Sequence, residues 1–332
     1  MVEKTAQKGA EDAGAARARA GDGSGRGDGV TPETAADAGR ASGADAGGQS
    51  SAAGDRDGRG ARQRTLVRYA TEGAVALLEL SDPPANTYTH EMMRQLDEAI
   101  LRARMDDDVQ VIVIRGEGEK FFCAGANITM LQSVTPRFKY FFCLHANETL
   151  NRLEQTPKLV IGALNGHTVG GGMEIAMACD FRYAWKPTAE GAKPFQYGLP
   201  EVNLGVLPGT GGTQRLSRLI RKDLAIYHMT SGRTFGVEEA RELGLLTDVI
   251  EAASLDAFVQ RVTEIARGYC APAKAAKAVG LIKRAVQSGA EASFGEGLAI
   301  ERELQQQLFQ SEDAKEGLGA YNEKRKASFG GA

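Results

Sequence analysis

Histidine and cysteine are scarce in this chain, with four of each among 332 residues. The histidines, His90, His145, His167 and His228, never stand four positions apart, so the paired-histidine zinc site of a helix is excluded. Cys123, Cys143, Cys179 and Cys270 include no Cys-x-x-Cys pair. They read as small apolar core residues, not as a disulfide framework or a metal site, and a cytoplasmic setting follows as the simplest expectation. The phosphate loop G-x-x-x-x-G-K-[ST] is missing, and so is G-x-G-x-x-G: GTGGTQ, at 209–214, has the wrong spacing. Without G-x-S-x-G there is no hydrolase nucleophile elbow. No apolar run approaches the roughly 18 residues a membrane span needs. An excess of positive charge is lacking too. Lys and Arg number 40 against 43 Asp and Glu, a net charge of -3, which argues against a nucleic-acid partner.

The first 62 residues contain no Leu, Ile, Phe, Tyr or Trp. Such a segment cannot bury enough apolar surface to offset its ordering entropy, so residues 1–62 are predicted to be a disordered tail. Acids spread through it, among them Glu11, Asp22 and Asp45, are unlike a transit peptide, and an apolar signal core is absent. Beyond the tail, LVRYATEGAVALLEL reads as two strands around a turn at Gly73. Met92, Met93, Leu96, Ile100 and Leu101 recur at helical spacing over 90–105. The runs at 109–116 and 158–166 suit strands covered on both faces, and 180–184 starts another. A helix is expected over 138–153, and helices should dominate after Gly212. RLSRLIRK, at 215–222, sets Arg215, Arg218, Arg221 and Lys222 near one helix face, which reads as solvated. Strands alternating with helices, followed by helices, imply an α/β core with a helical C-terminal part.

Three short stretches carry possible chemistry. GHTVGGGMEIAMACD, from Gly166 to Asp180, runs glycines into an apolar segment that holds one carboxylate, Glu174. Glycine permits positive φ and close approach to a ligand, and the first amides of a helix lack internal partners. A flexible turn ahead of a surface glutamate is the plainer alternative, but MEIAMAC offers that side chain little polar company. FFCAGANI, at 121–128, brings a second glycine-bearing turn to a helix start, with Asn127 as N-cap. Taken alone it is a turn and a cap. YGLPEVNLGVLPGTGGTQRL, from Tyr197 to Leu216, places Glu201 after Pro200, where a lone glutamate is ordinarily a loop charge.

In this order, with the terminal EGLGAYNEKRKASF, the stretches resemble the enoyl-CoA hydratase/isomerase family, the crotonases, over roughly Leu66–Phe329. The resemblance implies a crotonase-like spiral of ββα units over 63–256. It also implies a helical trimerisation region over 257–332, a homotrimer or homohexamer, an acyl-CoA thioester as substrate, and neither metal nor redox cofactor. By the family pattern the amides of Ala126 and Gly171 form an oxyanion hole, and Glu174 and Glu201 are the catalytic pair. Glu201 would be the main proton donor and acceptor and Glu174 the water-holding partner. Ala124, Asn127, Ile128 and Gly172 would border the substrate, and Lys324 would reach a CoA phosphate in a neighbouring subunit. The implied activity is hydration of a 2-enoyl-CoA in the degradation of fatty-acyl or related thioesters. A Δ3,Δ2-enoyl-CoA isomerase or another crotonase-type lyase is the alternative, and an RNA-binding platform is disfavoured by mixed charge along 90–105. Two departures stand out. Asn127 replaces the family's usual Asp, and WKPTAEGAKPFQ, at 185–196, is longer than usual between the two glutamates. An outward loop there would leave the carboxylates free to converge.

Overall fold

In the computed structural model the described residues are 64–331, so the tail expected over 1–62 lies outside them. The chain enters through a hairpin of β1 (Val67–Glu72) and β2 (Val75–Leu80), turned at Gly73 with φ +59°. Helix α1 (His90–Met105) follows, its first turn capped by the Thr89 hydroxyl, which accepts from the Met92 amide. Of its periodic apolar residues, Met92, Met93, Leu96 and Ile100 are buried and Leu101 is half-buried. Three strand pairs come next. The first is β3 (Val111–Gly116) with β4 (Phe121–Cys123), leading to α2 (Ile128–Ser133) and α3 (Pro136–Glu154). The second is β5 (Leu159–Leu164) with β6 (His167–Val169), leading to α4 (Gly171–Met177). The third is β7 (Phe181–Pro187) with β8 (Tyr197–Gly198), leading to a 3-10 turn at Glu201–Leu204 and α5 (Gly212–Leu219).

The remainder is α6 (Lys222–Ser231), α7 (Val237–Glu242), β9 (Asp248–Ala252) and four helices: α8 (Leu255–Arg267), α9 (Ala276–Gly289), α10 (Phe294–Phe309) and α11 (Glu312–Asn322). The larger sheet has the order β1-β2-β3-β5-β7-β9, parallel apart from the first hairpin. The smaller sheet is β4-β6-β8, also parallel. Each pair thus gives one strand to each sheet before a helix returns the chain. This is the expected spiral of ββα units with helices at the C-terminal end.

Covered on both faces, β3 and β5 are buried nearly throughout, as continuous apolar runs require. The hydrophobic core gathers these strands with α1, α3, α4 and α8. Cys123, Cys179 and Cys270 are buried thiols, and Cys143 is half-buried. Among the described residues no helix is long and apolar enough to cross a membrane.

The basic stretch at 215–222 does not form one face. Helix α5 stops at Leu219, Ile220 turns extended to pack on the core, and Lys222 starts α6. Nor is Arg215 solvated. Its side chain is 10% exposed, and its guanidinium forks onto Glu154 at 2.9 and 2.7 Å. The sequence pattern missed this because the burial comes from α3, a distant part of the chain.

Candidate active site

All three strands of the smaller sheet point the same way, and the loop after each borders one cavity of about 260 Å³. After β4 come Ala124 and Ala126, after β6 come Gly170 and Gly171, and after β8 come Pro200 and Glu201. The carboxyl ends of parallel strands are a common place for ligands to bind. Here three successive turns of the spiral contribute one loop each.

The glycines set the first feature. Gly170 has φ +58°, a conformation that a side chain rarely tolerates. It turns the chain from β6 so that Gly171 is the first residue of α4. The Gly171 amide is therefore one of the unpartnered helix-start donors. On the facing loop, Tyr88 donates its N–H to the Gly125 carbonyl at 2.9 Å and accepts from the Asn127 amide at 2.9 Å, bracketing Ala126. Among the described residues neither the Ala126 nor the Gly171 amide donates to another backbone carbonyl. The loops touch: a Cβ on Gly125 would lie 2.9 Å from the Gly171 nitrogen. Two free donors thus stand side by side on the cavity wall. Gly172 lies behind them, where a Cβ would overlap the Cys123 carbonyl, and it lets α4 approach β4 rather than lining the cavity.

Both carboxylates face this cavity and differ in their surroundings. Glu174 is 1% exposed, and its polar company arrives from far along the chain. Its Oε1 accepts the amides of Thr210 and Gly212, each at 2.7 Å. Burial raises its pKa, and these donors, the Thr210 hydroxyl and the charge of Arg215 act against that rise. Glu201 has less help. Its Oε2 is buried without a hydrogen-bond partner, and burial, then the nearby Glu174 charge, push its pKa up to about 7. A bond to its own backbone and the charge of Lys139 oppose the rise. One held carboxylate and one acid close to neutral form a pair suited to moving a proton.

The other expected residues divide. Ala124 and Ile128 line the cavity. Asn127 serves as the N-cap of α2, accepting from the Met130 amide at 2.9 Å, so its amide side chain does the capping work that an Asp would do. Lys324 is exposed after α11 with φ +56° and does not border the cavity of its own chain. The long segment at 185–196 starts by extending β7 to Pro187 and then forms an exposed excursion over 188–194. Trp185 stacks on Phe258 at 6.1 Å, packs against Phe195 at 5.8 Å, and donates its indole N–H to Ala252. The excursion leaves and returns through this aromatic clamp, and Glu201 still meets the cavity.

Three participants escape the sequence reading. Tyr88 lines the cavity from the turn before α1, Lys139 from α3, and Thr210 from the loop before α5. Thr210 stands in the quoted PGTGGTQ run, but nothing local links it to a carboxylate 36 positions earlier. For Tyr88 and Lys139 the sequence holds no signal, because the turn before α1 and helix α3 present them only once packed. Among the described residues no three His, Cys, Asp or Glu side chains gather as a metal site.

Comparison with known proteins identifies a family. The family model described as enoyl-CoA hydratase/isomerase matches residues 70–332. The short-chain-enoyl-CoA hydratase of Clostridium acetobutylicum is 35% identical over 77% of this chain and 94% of its own length. The crotonyl-CoA hydratase of Syntrophomonas wolfei is 34% identical over 78% of this chain and 95% of its own. Among solved structures, an enoyl-CoA hydratase of Geobacillus kaustophilus superposes with a TM-score of 0.75 at 40% identity, covering 81% of this chain and 98% of that one.

Proposed function

The chain belongs to the enoyl-CoA hydratase/isomerase family, and from that premise we infer that it is an enoyl-CoA hydratase, adding water across the 2,3 double bond of a 2-enoyl-CoA thioester. The observation that carries the mechanism is the unequal pair: Glu174 held by two amides, Glu201 with a bare buried oxygen, both on one cavity. Glu174 holds the water and takes one of its protons as the oxygen bonds to C3. Electrons of the double bond shift toward the thioester oxygen, which the amides of Ala126 and Gly171 receive. Glu201 delivers its proton to C2. The pair starts and ends with one proton between its members, so the products balance as substrate plus water.

Each donor aimed at the developing oxyanion is worth on the order of 100- to 1000-fold in rate. Positioned proton transfer adds roughly 100- to 10000-fold. Hydration changes no oxidation state, so the step as drawn uses neither metal nor redox cofactor. Ala124 and Ile128 border the thioester, and Asn127 shapes the loop that carries Ala126.

The reading extends to assembly and setting. Phe294, Phe309 and Tyr321, on α10 and α11, are exposed, and a homotrimer or a pair of trimers would cover such apolar surface. In that assembly Lys324 faces the CoA phosphates of a neighbour. A cytoplasmic enzyme of fatty-acyl-CoA degradation, with no nucleic-acid or membrane partner, completes the proposal.

Purified protein given a series of 2-enoyl-CoA thioesters should remove their conjugated-thioester absorbance. With 3-enoyl-CoA substrates, a rise in that absorbance faster than hydration would identify an isomerase instead.

A further inference from the structure

We propose that the site prefers a 2-enoyl-CoA whose short acyl chain ends in a carboxylate, and that the Lys139 ammonium pairs with that carboxylate. The proposal rests on the reading that the cavity receives the acyl group of a thioester held by Ala126 and Gly171. A cation without a partner carries it. Lys139 stands at the start of α3, half-buried and bordering the cavity, whereas its neighbours Phe138 and Tyr140 are exposed. Among the described residues that line the cavity it is the one cation. Its ammonium makes neither an ion pair nor a hydrogen bond among the described residues. It lies over the Phe142 ring, 5.3 Å from the ring centroid.

The wall around it is apolar, with Ile128, Leu131, Leu204 and Leu207. A charge enclosed by such side chains costs free energy unless something pairs with it. Neither glutamate of the cavity does so. Glu174 takes the amides of Thr210 and Gly212, and Glu201 Oε2 has no partner. An acyl group that enters displaces solvent from this wall. An aliphatic chain end would then leave the ammonium bare, while a carboxylate would pair with it.

Position narrows the source of the anion. A Cβ on Gly209 would stand 4.0 Å from the Lys139 nitrogen, and the next residue, Thr210, gives its amide to Glu174. The cation is therefore at the reacting end of the cavity. A CoA phosphate lies a whole pantetheine arm away from the reacting carbons, so the anion within reach belongs to the acyl group. At about 260 Å³ the cavity is smaller than the roughly 300–1000 Å³ usual for ligands, which suits a chain of few carbons. Two glutamates on one cavity would repel a further carboxylate, so Lys139 also decides whether such a substrate is admitted. Neutral crotonyl-CoA still reaches the glutamate pair and forgoes the ion pair.

The test uses two pairs of thioesters, each matching a carboxylate with an isopropyl group of similar shape. Glutaconyl-CoA and 5-methylhex-2-enoyl-CoA report turnover. Their saturated counterparts, glutaryl-CoA and 5-methylhexanoyl-CoA, report binding alone, by calorimetry. Wild type should favour the carboxylated member about 10- to 100-fold in kcat/KM and in affinity, less than a fully buried partner would give, because Lys139 is half-buried. K139M and K139Q should lose that ratio, and K139R should keep most of it. Equal treatment of both members by wild type, or a preference that survives in K139M and K139Q, would overturn the proposal. Equal weakening of both members in these variants would overturn it too, since Lys139 would then serve a CoA phosphate or the glutamate pair. If neither enoyl thioester turns over while glutaryl-CoA keeps its Lys139-dependent advantage, the hydratase reading fails and the carboxylate pairing stands.

Discussion

Glu174 Oε1 lies 2.7 Å from the backbone nitrogen of Thr210, a residue 36 positions further along the chain. Gly212 supplies the second amide at the same distance, and its lack of a side chain is what admits the carboxylate: a Cβ there would stand 2.9 Å from Oε1. G212A should therefore push Glu174 off its donors. Displacement of a positioned group by about an ångström can cost roughly 100-fold, so kcat for crotonyl-CoA should fall by about 10- to 100-fold. Unchanged kcat in a folded G212A protein would mean that the two amides do not position the base.

In the proposed step Glu201 must carry a proton for C2, and its pKa is raised to about 7. The expected kcat/KM therefore declines as pH rises through the upper apparent pKa of the pair, near 7. E201Q should lower hydration about 100- to 10000-fold and lose that decline, while CoA-ester binding persists. Stability follows the same sign. A carboxyl whose folded pKa lies above its unfolded value favours the folded state at low pH, and that contribution is lost as pH rises through about 7. Denaturation midpoints of wild type should fall between pH 5 and pH 8 by more than those of E201Q.

Lys139 opposes the rise in the Glu201 pKa through its charge. Removing it in K139Q should move the basic limb of the kcat/KM profile to higher pH, without loss of the limb itself. A shift to lower pH, or none, would show that Lys139 does not act on Glu201 in solution.

What the sequence disclosed and what it hid divide along contact distance. Apolar spacing gave α1 at its observed bounds, His90–Met105, because helix periodicity is local. Buried strands were visible for the same reason in the β-branched runs of β3 and β5. The glycines and both glutamates stood out through motif order. Hidden were the partners that arrive across the fold: Thr210 and Gly212 on Glu174, Tyr88 against Gly171, Glu154 on Arg215. No local pattern encodes a hydrogen bond between residues 36 to 38 positions apart. The small sheet was equally obscure, because β6 and β8 have only three and two residues.

The excursion at 188–194 is exposed and clamped at its base by Trp185 and Phe195. Replacing those residues with a short glycine-serine turn should leave hydration of crotonyl-CoA within about threefold, since loop length alone changes closure entropy little. W185A should do more harm, lowering stability by about 3–5 kcal/mol through the emptied aromatic cluster. Thermal melts and turnover of the two variants separate these outcomes; an inactive loop variant that still folds would tie the excursion to the site.

The three-turn origin of the cavity also imposes an order on synthesis. A ribosome delivers Glu174 before any of Thr210, Gly212 or Glu201 exists. A nascent chain whose emerged part ends at β7 would carry the oxyanion loops and a carboxylate destined for burial, with neither of its amide partners. Closing that turn early would bury a bare charge, which is costly. The second turn of the spiral is therefore expected to stay open on the ribosome until the third has emerged, so that the reacting pair and the packing of α4 mature together.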